Sequence, residues 1–157
     1  MYDPILHVVL YEPEIPFNTG SVGRTCVAIG AKLWLVRPLG FQIDDRRLKR
    51  AGLDYWKHLV WEIVDNYQML LDRLGPRPMW FFSKRAVRPY TEATFRPGDA
   101  LVFGSETRGL PSSFLEKQPD RALQIPISSR VRSLNLTVSV GVAVYEALRQ
   151  FGVQRLG

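Results

Sequence analysis

Apolar runs alternate with amphipathic stretches along this chain, which is the pattern of an α/β layer fold. Residues 5–11 read as a buried strand, ended by the Glu12-Pro13 turn. Asn18 and Thr19 are positioned to cap a helix whose apolar residues Val22, Cys26 and Ile29 follow helical spacing, and Gly30 stops it. Residues 32–37 read as a second strand, closed by Pro38. A short basic helix near 46–51 follows, then a longer helix over about 64–74 stopped by Gly75-Pro76. Residues 79–83, 100–103 and 122–125 read as further strands. The segment 136–151 carries Val138, Val140, Val142 and Val144 in strand-like alternation. Its length and the Leu134, Val138, Val142, Tyr145, Leu148 series favour a buried helix ending at Gly152. Neither an internal repeat nor a linker is visible, so one α/β domain over 1–157 is expected.

Composition narrows the class. The chain has 157 residues, 46% hydrophobic and 23% charged, enough for one domain with its own core and too few for two. Residues 1–20 hold Asp3, Glu12 and Glu14 but no Lys or Arg, which argues against a secretory signal. No apolar run approaches a membrane span. The single cysteine, Cys26, has no internal partner and suits a reducing compartment, so a cytoplasmic location is expected. Lys plus Arg number 21 against 15 for Asp plus Glu, a net +6. That balance serves solubility, or attraction to polyanions by counterion release. Arg46, Arg47, Lys49 and Arg50 form one basic cluster, Arg130 and Arg132 a second.

Several chemistries fail on residue type. Two histidines, His7 and His58, with one cysteine cannot supply a zinc set, so no metal is expected. The run from Gly104 to Gly109 resembles the start of a phosphate loop, but Leu110-Pro111 stands where Lys-Ser/Thr should follow. Ser105 lacks the paired glycines of a nucleophile elbow, and no G-x-G-x-x-G follows the first strand.

Three polar clusters remain, each just past a predicted strand, where open α/β sheets bind ligands. The first, residues 16–24, joins Asn18, Gly20, Gly23 and Arg24 to a helix N-terminus. It reads equally as an anion site or as a glycine-containing cap. The second, 101–111, runs a hydrophobic strand into Gly104, Glu106 and Arg108. Gly104 would admit a flat ring or backbone, and Glu106 could cap a helix or orient a donor. In the third, 125–136, Ser133 and Asn135 are N-cap candidates for the last helix, and the loop could hydrogen-bond a purine edge.

Together these clusters resemble the three motifs of the SPOUT methyltransferases, across nearly the whole chain. The resemblance is carried by Tyr11-Glu12-Pro13-Glu14-Ile15-Pro16 with Asn18-Thr19-Gly20 and by Asp44-Asp45-Arg46-Arg47-Leu48 with Arg50-Ala51-Gly52-Leu53-Asp54-Tyr55. Gly104 with Glu106-Thr107-Arg108-Gly109-Leu110-Pro111 and Arg132-Ser133-Leu134-Asn135-Leu136 complete it. It is closest to the minimal tRNA 2′-O-methyltransferases acting on cytidine or uridine 34. It implies a mostly parallel sheet flanked by helices, a C-terminal trefoil knot within about 76–157, a homodimer and S-adenosylmethionine as methyl donor. By position, Phe81, Gly104, Ile125, Ile127, Ser133 and Leu134 match cofactor-site residues. Asn18, Arg24, Glu106 and Asn135 match the catalytic set. Arg46, Arg47, Lys49, Arg50 and Arg132 are expected to meet the tRNA anticodon stem-loop, the four-residue cluster also reading as a solvated helix face. Tyr145 matches an RNA-contact tyrosine and reads equally as a core residue. Ser21 departs from the family's usual Asn and receives no role.

The implied reaction needs a ribose 2′-OH held in line behind an activated methyl. Arg24, always protonated, would bind the adjoining phosphate and polarise that hydroxyl rather than take its proton. Methylation of another RNA such as rRNA, or a catalytically silent RNA-binding module, are the alternatives.

Overall fold

Strand residues alternate between two apolar faces, and that alternation builds a sheet covered on both sides. The computed structural model describes residues 3–43, 46, 50 and 55–157. Its strands are β1 (His7–Tyr11), β2 (Lys32–Val36), β3 (Trp61–Val64), β4 (Met79–Phe82), β5 (Ala100–Phe103) and β6 (Ala122–Leu123). They form one sheet in the order β3-β2-β1-β5-β4-β6, every neighbouring pair parallel. β1 is central, with His7 opposite both Lys32 and Ala100.

The helices are α1 (Pro16–Ile29), α2 (Tyr67–Leu74), α3 (Ser112–Lys117) and α4 (Leu136–Gln150). On one face Val8, Leu10, Leu33, Leu35, Leu101 and Phe103 pack with Val22 and Cys26 of α1 and Val140, Val144 and Ala147 of α4. On the other, Val9, Trp34, Phe81 and Val102 meet Leu70 and Leu74 of α2, with Phe114 of α3 packed against them. At about 25 cal/mol per Å² of apolar surface, these two layers supply the main driving force for folding.

Four expectations are corrected. The helix expected over about 64–74 begins only at Tyr67; Val64 ends β3, a strand the sequence reading did not anticipate, and Asp65-Asn66 divide the two. Asn66 caps α2 by accepting from Met69 N at 2.8 Å. The last strand is two residues long, because Gln124 leaves the sheet to exchange backbone bonds with Arg88 and Tyr90 (2.8 and 2.9 Å). The last helix forms over nearly the expected span, but it buries Leu136, Val140, Ala143, Val144, Ala147 and Leu148. Val138 and Tyr145, taken for its inner face, are 49% and 52% exposed. Finally, α1 begins at Pro16, so Asn18 and Thr19 lie inside its first turn rather than capping it. Proline, which has no N–H to satisfy, suits that first helical position.

The far end of the sheet holds a buried imidazole. Trp34 Nε1 donates to His7 Nδ1 at 2.9 Å, and Arg77 Nη1 lies 2.8 Å from His7 Nε2. Burial, with Arg77 and Lys32 nearby, lowers the His7 pKa to about 4. Below pH 6.5 the unfolded chain therefore takes up a proton that the folded chain refuses. His7 thus costs stability as pH falls from 6.5 toward 4, by up to about 3 kcal/mol. The urea midpoint of wild type is expected to fall relative to that of His7→Asn as pH drops through that window. Parallel curves would remove His7 as the cause.

Candidate active site

The loops leaving the carboxyl ends of β1, β4, β5 and β6, with the segment entering α4, converge on a cavity of about 610 Å³. Phe82, Phe103, Ile125, Ile127, Leu134 and Leu136 supply apolar wall. Asn18, Ser105, Glu106, Ser133 and Asn135 supply polar atoms, and Lys84, Arg85, Arg108 and Arg132 make the remaining lining strongly basic.

Glu106 ties the first two motif clusters together. The first turn of α1 contains no acidic residue, and Ile15 at its N-cap has no side-chain acceptor to offer. Glu106 fills that need from the loop after β5. Its Oε1 accepts from Glu14 N at 2.8 Å, and its Oε2 accepts from Ile15 N at 2.8 Å and from Asn18 Nδ2 at 3.2 Å. The carboxylate satisfies N–H groups where the chain enters the helix and opposes the positive end of the helix dipole. Asn18 is also linked to the third cluster, its Oδ1 accepting from Thr137 Oγ1 at 3.5 Å. Asn135 caps α4, accepting from Thr137 N at 2.8 Å. Ser133 lines the cavity without serving as that cap.

The loop bearing Glu106 folds back on itself. Gly109 N donates to Ser105 O at 2.9 Å, Arg108 N donates to Ser105 Oγ at 3.2 Å, and Gly109 has φ 68°. A Cβ on Gly104 would overlap Gly109 C and Leu110 N and lie 2.6 Å from Gly109 Cα. The close approach expected at Gly104 is therefore made by the chain's own return strand.

The structure brings Asn18, Glu106 and Asn135 together around the cavity with Gly104, Ile125, Ile127, Ser133, Leu134 and Arg132. Phe81 is not among the lining residues. Strand alternation turns its side chain into the opposite core, 5.9 Å from the Phe114 ring centroid, while Phe82 faces the cavity. Arg24 is also outside: it is exposed on α1, its guanidinium 5.2 Å from the Tyr55 ring centroid. It lies six positions beyond Asn18 on the helix, which turns it about 120° away from that side chain. Arg46 and Arg50 are helical and exposed, whereas Arg47 and Lys49 lie outside the described residues. Exposure rules out the core reading of Tyr145.

Sequence reasoning missed Ser83, Lys84 and Arg85, which follow β4. The rule that drew attention to the other loops, polar residues just past a strand's carboxyl end, applies to them as well. Lys84 Nζ donates to Arg132 O at 3.2 Å. Arg85 donates to Ser112 Oγ at 2.7 Å and to Leu110 O, so this loop braces both other walls. Among the described residues no helix is long and apolar enough to cross a membrane.

The chain is similar along most of its length to known methyltransferases. The tRNA (cytidine(34)-2′-O)-methyltransferase of Saccharophagus degradans is 44% identical over 151 residues, covering 94% of this chain and 97% of that protein. A solved structure from work on the 2-OH methylation of C/U34 on tRNA superposes with TM-score 0.89 at 49% identity, covering 94% of this chain and 96% of that one. The SpoU methyltransferase AviRb of Streptomyces viridochromogenes, solved in complex with AdoMet, has TM-score 0.85 at 23% identity. It covers 99% of this chain and 61% of that one, a likeness of fold alone. The model of the SpoU rRNA methylase family matches residues 5–145, and with the parallel sheet and the convergent loops this makes the chain a member of that family.

Proposed function

We propose that this protein transfers a methyl group from S-adenosylmethionine to the ribose 2′-OH of nucleotide 34 of tRNA, working as a cytoplasmic homodimer. One observation carries the reading: Asn18, Glu106 and Asn135, from three separate clusters, meet at one cavity with apolar walls. The names of relatives at this level of identity supply the substrate class. The trefoil knot within about 76–157 belongs to the same proposal.

The donor fits the residues present. A cavity of about 610 Å³ lies within the range of roughly 300–1,000 Å³ common for small-molecule sites. Ile125, Ile127 and Leu134 would hold an adenine, and the polar groups of the Ser133–Asn135 stretch would fix its edge. When bound, the donor supplies a methyl group already activated on a sulfonium. The protein's task is then to orient the ribose hydroxyl and to favour loss of its proton. Glu106 holds Asn18 at the cavity, and Asn135 anchors the third loop there. Lys84, Arg85, Arg108 and Arg132 give the cavity a phosphate-attracting field, joined by Arg46, Arg47, Lys49 and Arg50 on the tRNA stem.

Apolar side chains that α1 and α4 leave uncovered support the proposed dimer. Phe17 is 59% exposed, and Ile15, Val138 and Tyr145 are exposed as well. The Asn18–Thr137 contact joins the start of α1 to the start of α4, and residues seven apart on α4 share a face, which puts Val138 and Tyr145 on one side of it. An apolar patch of this kind suits a two-fold interface. We assign Tyr145 to that interface rather than to RNA. Arg24, on the outer side of α1, then serves the partner's cavity, where it binds the phosphate beside the target ribose.

Incubation with labelled S-adenosylmethionine and total tRNA, followed by nucleoside mapping, is expected to yield 2′-O-methylation at position 34. Transfer to another position or only to rRNA would replace the substrate. No transfer, with RNA binding intact, would favour the silent module.

A further inference from the structure

Glu14 stands at the junction of three loops and has no part in the chemistry above. Its Oε1 accepts twice from Thr107, from N at 3.0 Å and from Oγ1 at 2.6 Å. The exchange is reciprocal, because Glu106, next to Thr107, accepts from the backbone N–H of Glu14 and of Ile15. Each loop thus lends a carboxylate to the other. A third loop supports the pair from behind. Gly40 N donates to Pro13 O at 2.9 Å, and a Cβ at Gly40 would lie 2.7 Å from Glu14 O and 2.8 Å from its Cα. Alongside, Arg108 Nη2 reaches Glu12 Oε1 at 3.4 Å. The bonds from Thr107 hold the Glu14 carboxyl below its usual pKa, so it stays ionised at neutral pH.

Hydrogen bonds onto an ionised carboxylate are shorter and stronger than neutral ones, and two such hydrogen bonds from one residue fix its backbone as well as its side chain. Thr107 is exposed and would otherwise be free to shift. Any such shift moves Glu106, its immediate neighbour, and with it the carboxylate that holds Asn18. We propose that Glu14 is a positioning residue of the methyl-transfer site: by clasping Thr107 it fixes Glu106 on the start of α1 and so aims Asn18 into the cavity. The effect on turnover rests on the function proposed above; the coupling between the two carboxylates does not.

The test compares Glu14→Ala, Glu14→Gln, Thr107→Val and Thr107→Ser in the full chain. Amide hydrogen exchange is read first, without substrate. The Ile15 amide is bonded to Glu106 and not to the Glu14 side chain, so its protection reports transmission. In Glu14→Ala its exchange is expected to rise at least tenfold. Gln, whose carbonyl can accept both Thr107 donors, is expected to restore it to within threefold of wild type. Thr107→Val, which keeps the N–H donor, should fall between, with Thr107→Ser near wild type; these two replace the Glu14 pair if Glu14→Ala does not fold. In turnover, kcat should drop tenfold or more in Glu14→Ala, with KM for tRNA and affinity for S-adenosylmethionine within threefold. An Ile15 amide that stays protected while the Thr107 amide opens would overturn the proposal, as would Gln behaving like Ala. Absence of methyl transfer by the wild type bears on the proposed function and leaves the exchange result standing.

Discussion

Gly104→Ala is expected to destabilise the fold by about 3 kcal/mol or more and to abolish binding of S-adenosylmethionine. The added methyl would have to occupy the space of Gly109 C and Leu110 N. Those are backbone atoms, with no rotamer through which to yield. Gly109 is itself held by its N–H bond to Ser105 O, in a left-handed turn (φ 68°) that glycine adopts without strain. Relief would require unfolding the 104–110 turn, and Glu106 would leave α1 with it. The contrast is Gly141→Ala in α4, where a Cβ meets nothing within 4 Å. Because Gly141 shares the face of Val138 and Tyr145, a gain of about 0.5–1 kcal/mol through helix propensity is expected where the proposed dimer is dissociated. Denaturant titration of both variants checks the pair of signs. Equal stability of Gly104→Ala and wild type would mean that the turn has an alternative path.

The residue type at Gly104 was legible in the sequence, whereas its reason was not. A glycine past a strand signals close approach, but nothing local says whether ligand or chain approaches. The same limit applies to Glu106. Local capping rules point to Asn18 or Thr19 for α1, and the carboxylate that does the work arrives from 91 and 92 residues away. Continuous apolar runs made β1, β2, β4 and β5 readable, since each is buried on both faces. β3 went unread and its last residue, Val64, was taken for the start of the helix that follows, because only Asp65-Asn66 divides them, though Asn66 is itself a cap signal. α4 was readable as a helix but not for its orientation. Valines occupy both its sides, and periodicity cannot choose between two apolar faces. That ambiguity has a physical source in the proposed dimer, where one face meets the sheet and the other a second copy. The grouping of Asn18, Glu106 and Asn135 came from the resemblance, and no spacing rule would have produced it.

Arg24→Ala and Glu106→Ala, each expected to lower methyl transfer at least a hundredfold as homodimers, should recover activity when combined as a heterodimer. The argument is geometric. Glu106 lines its own chain's cavity and Arg24 does not, so a site served by Arg24 of the opposite subunit draws its two groups from different chains. In a heterodimer carrying one substitution per chain, one site receives both defects. The other receives both intact residues and works normally. A two-fold dimer purified through distinct tags should therefore show about half of wild-type turnover. If Arg24 instead swung into its own cavity, each site would carry one defect and the heterodimer would stay inactive. Salt helps separate the roles. Arg24→Ala should lower the slope of log affinity for tRNA against log salt by about one phosphate contact, while Glu106→Ala leaves it unchanged. Complementation with that difference in slope is the combination that a phosphate-binding arginine acting across the interface requires. A single cavity built from one chain cannot produce it.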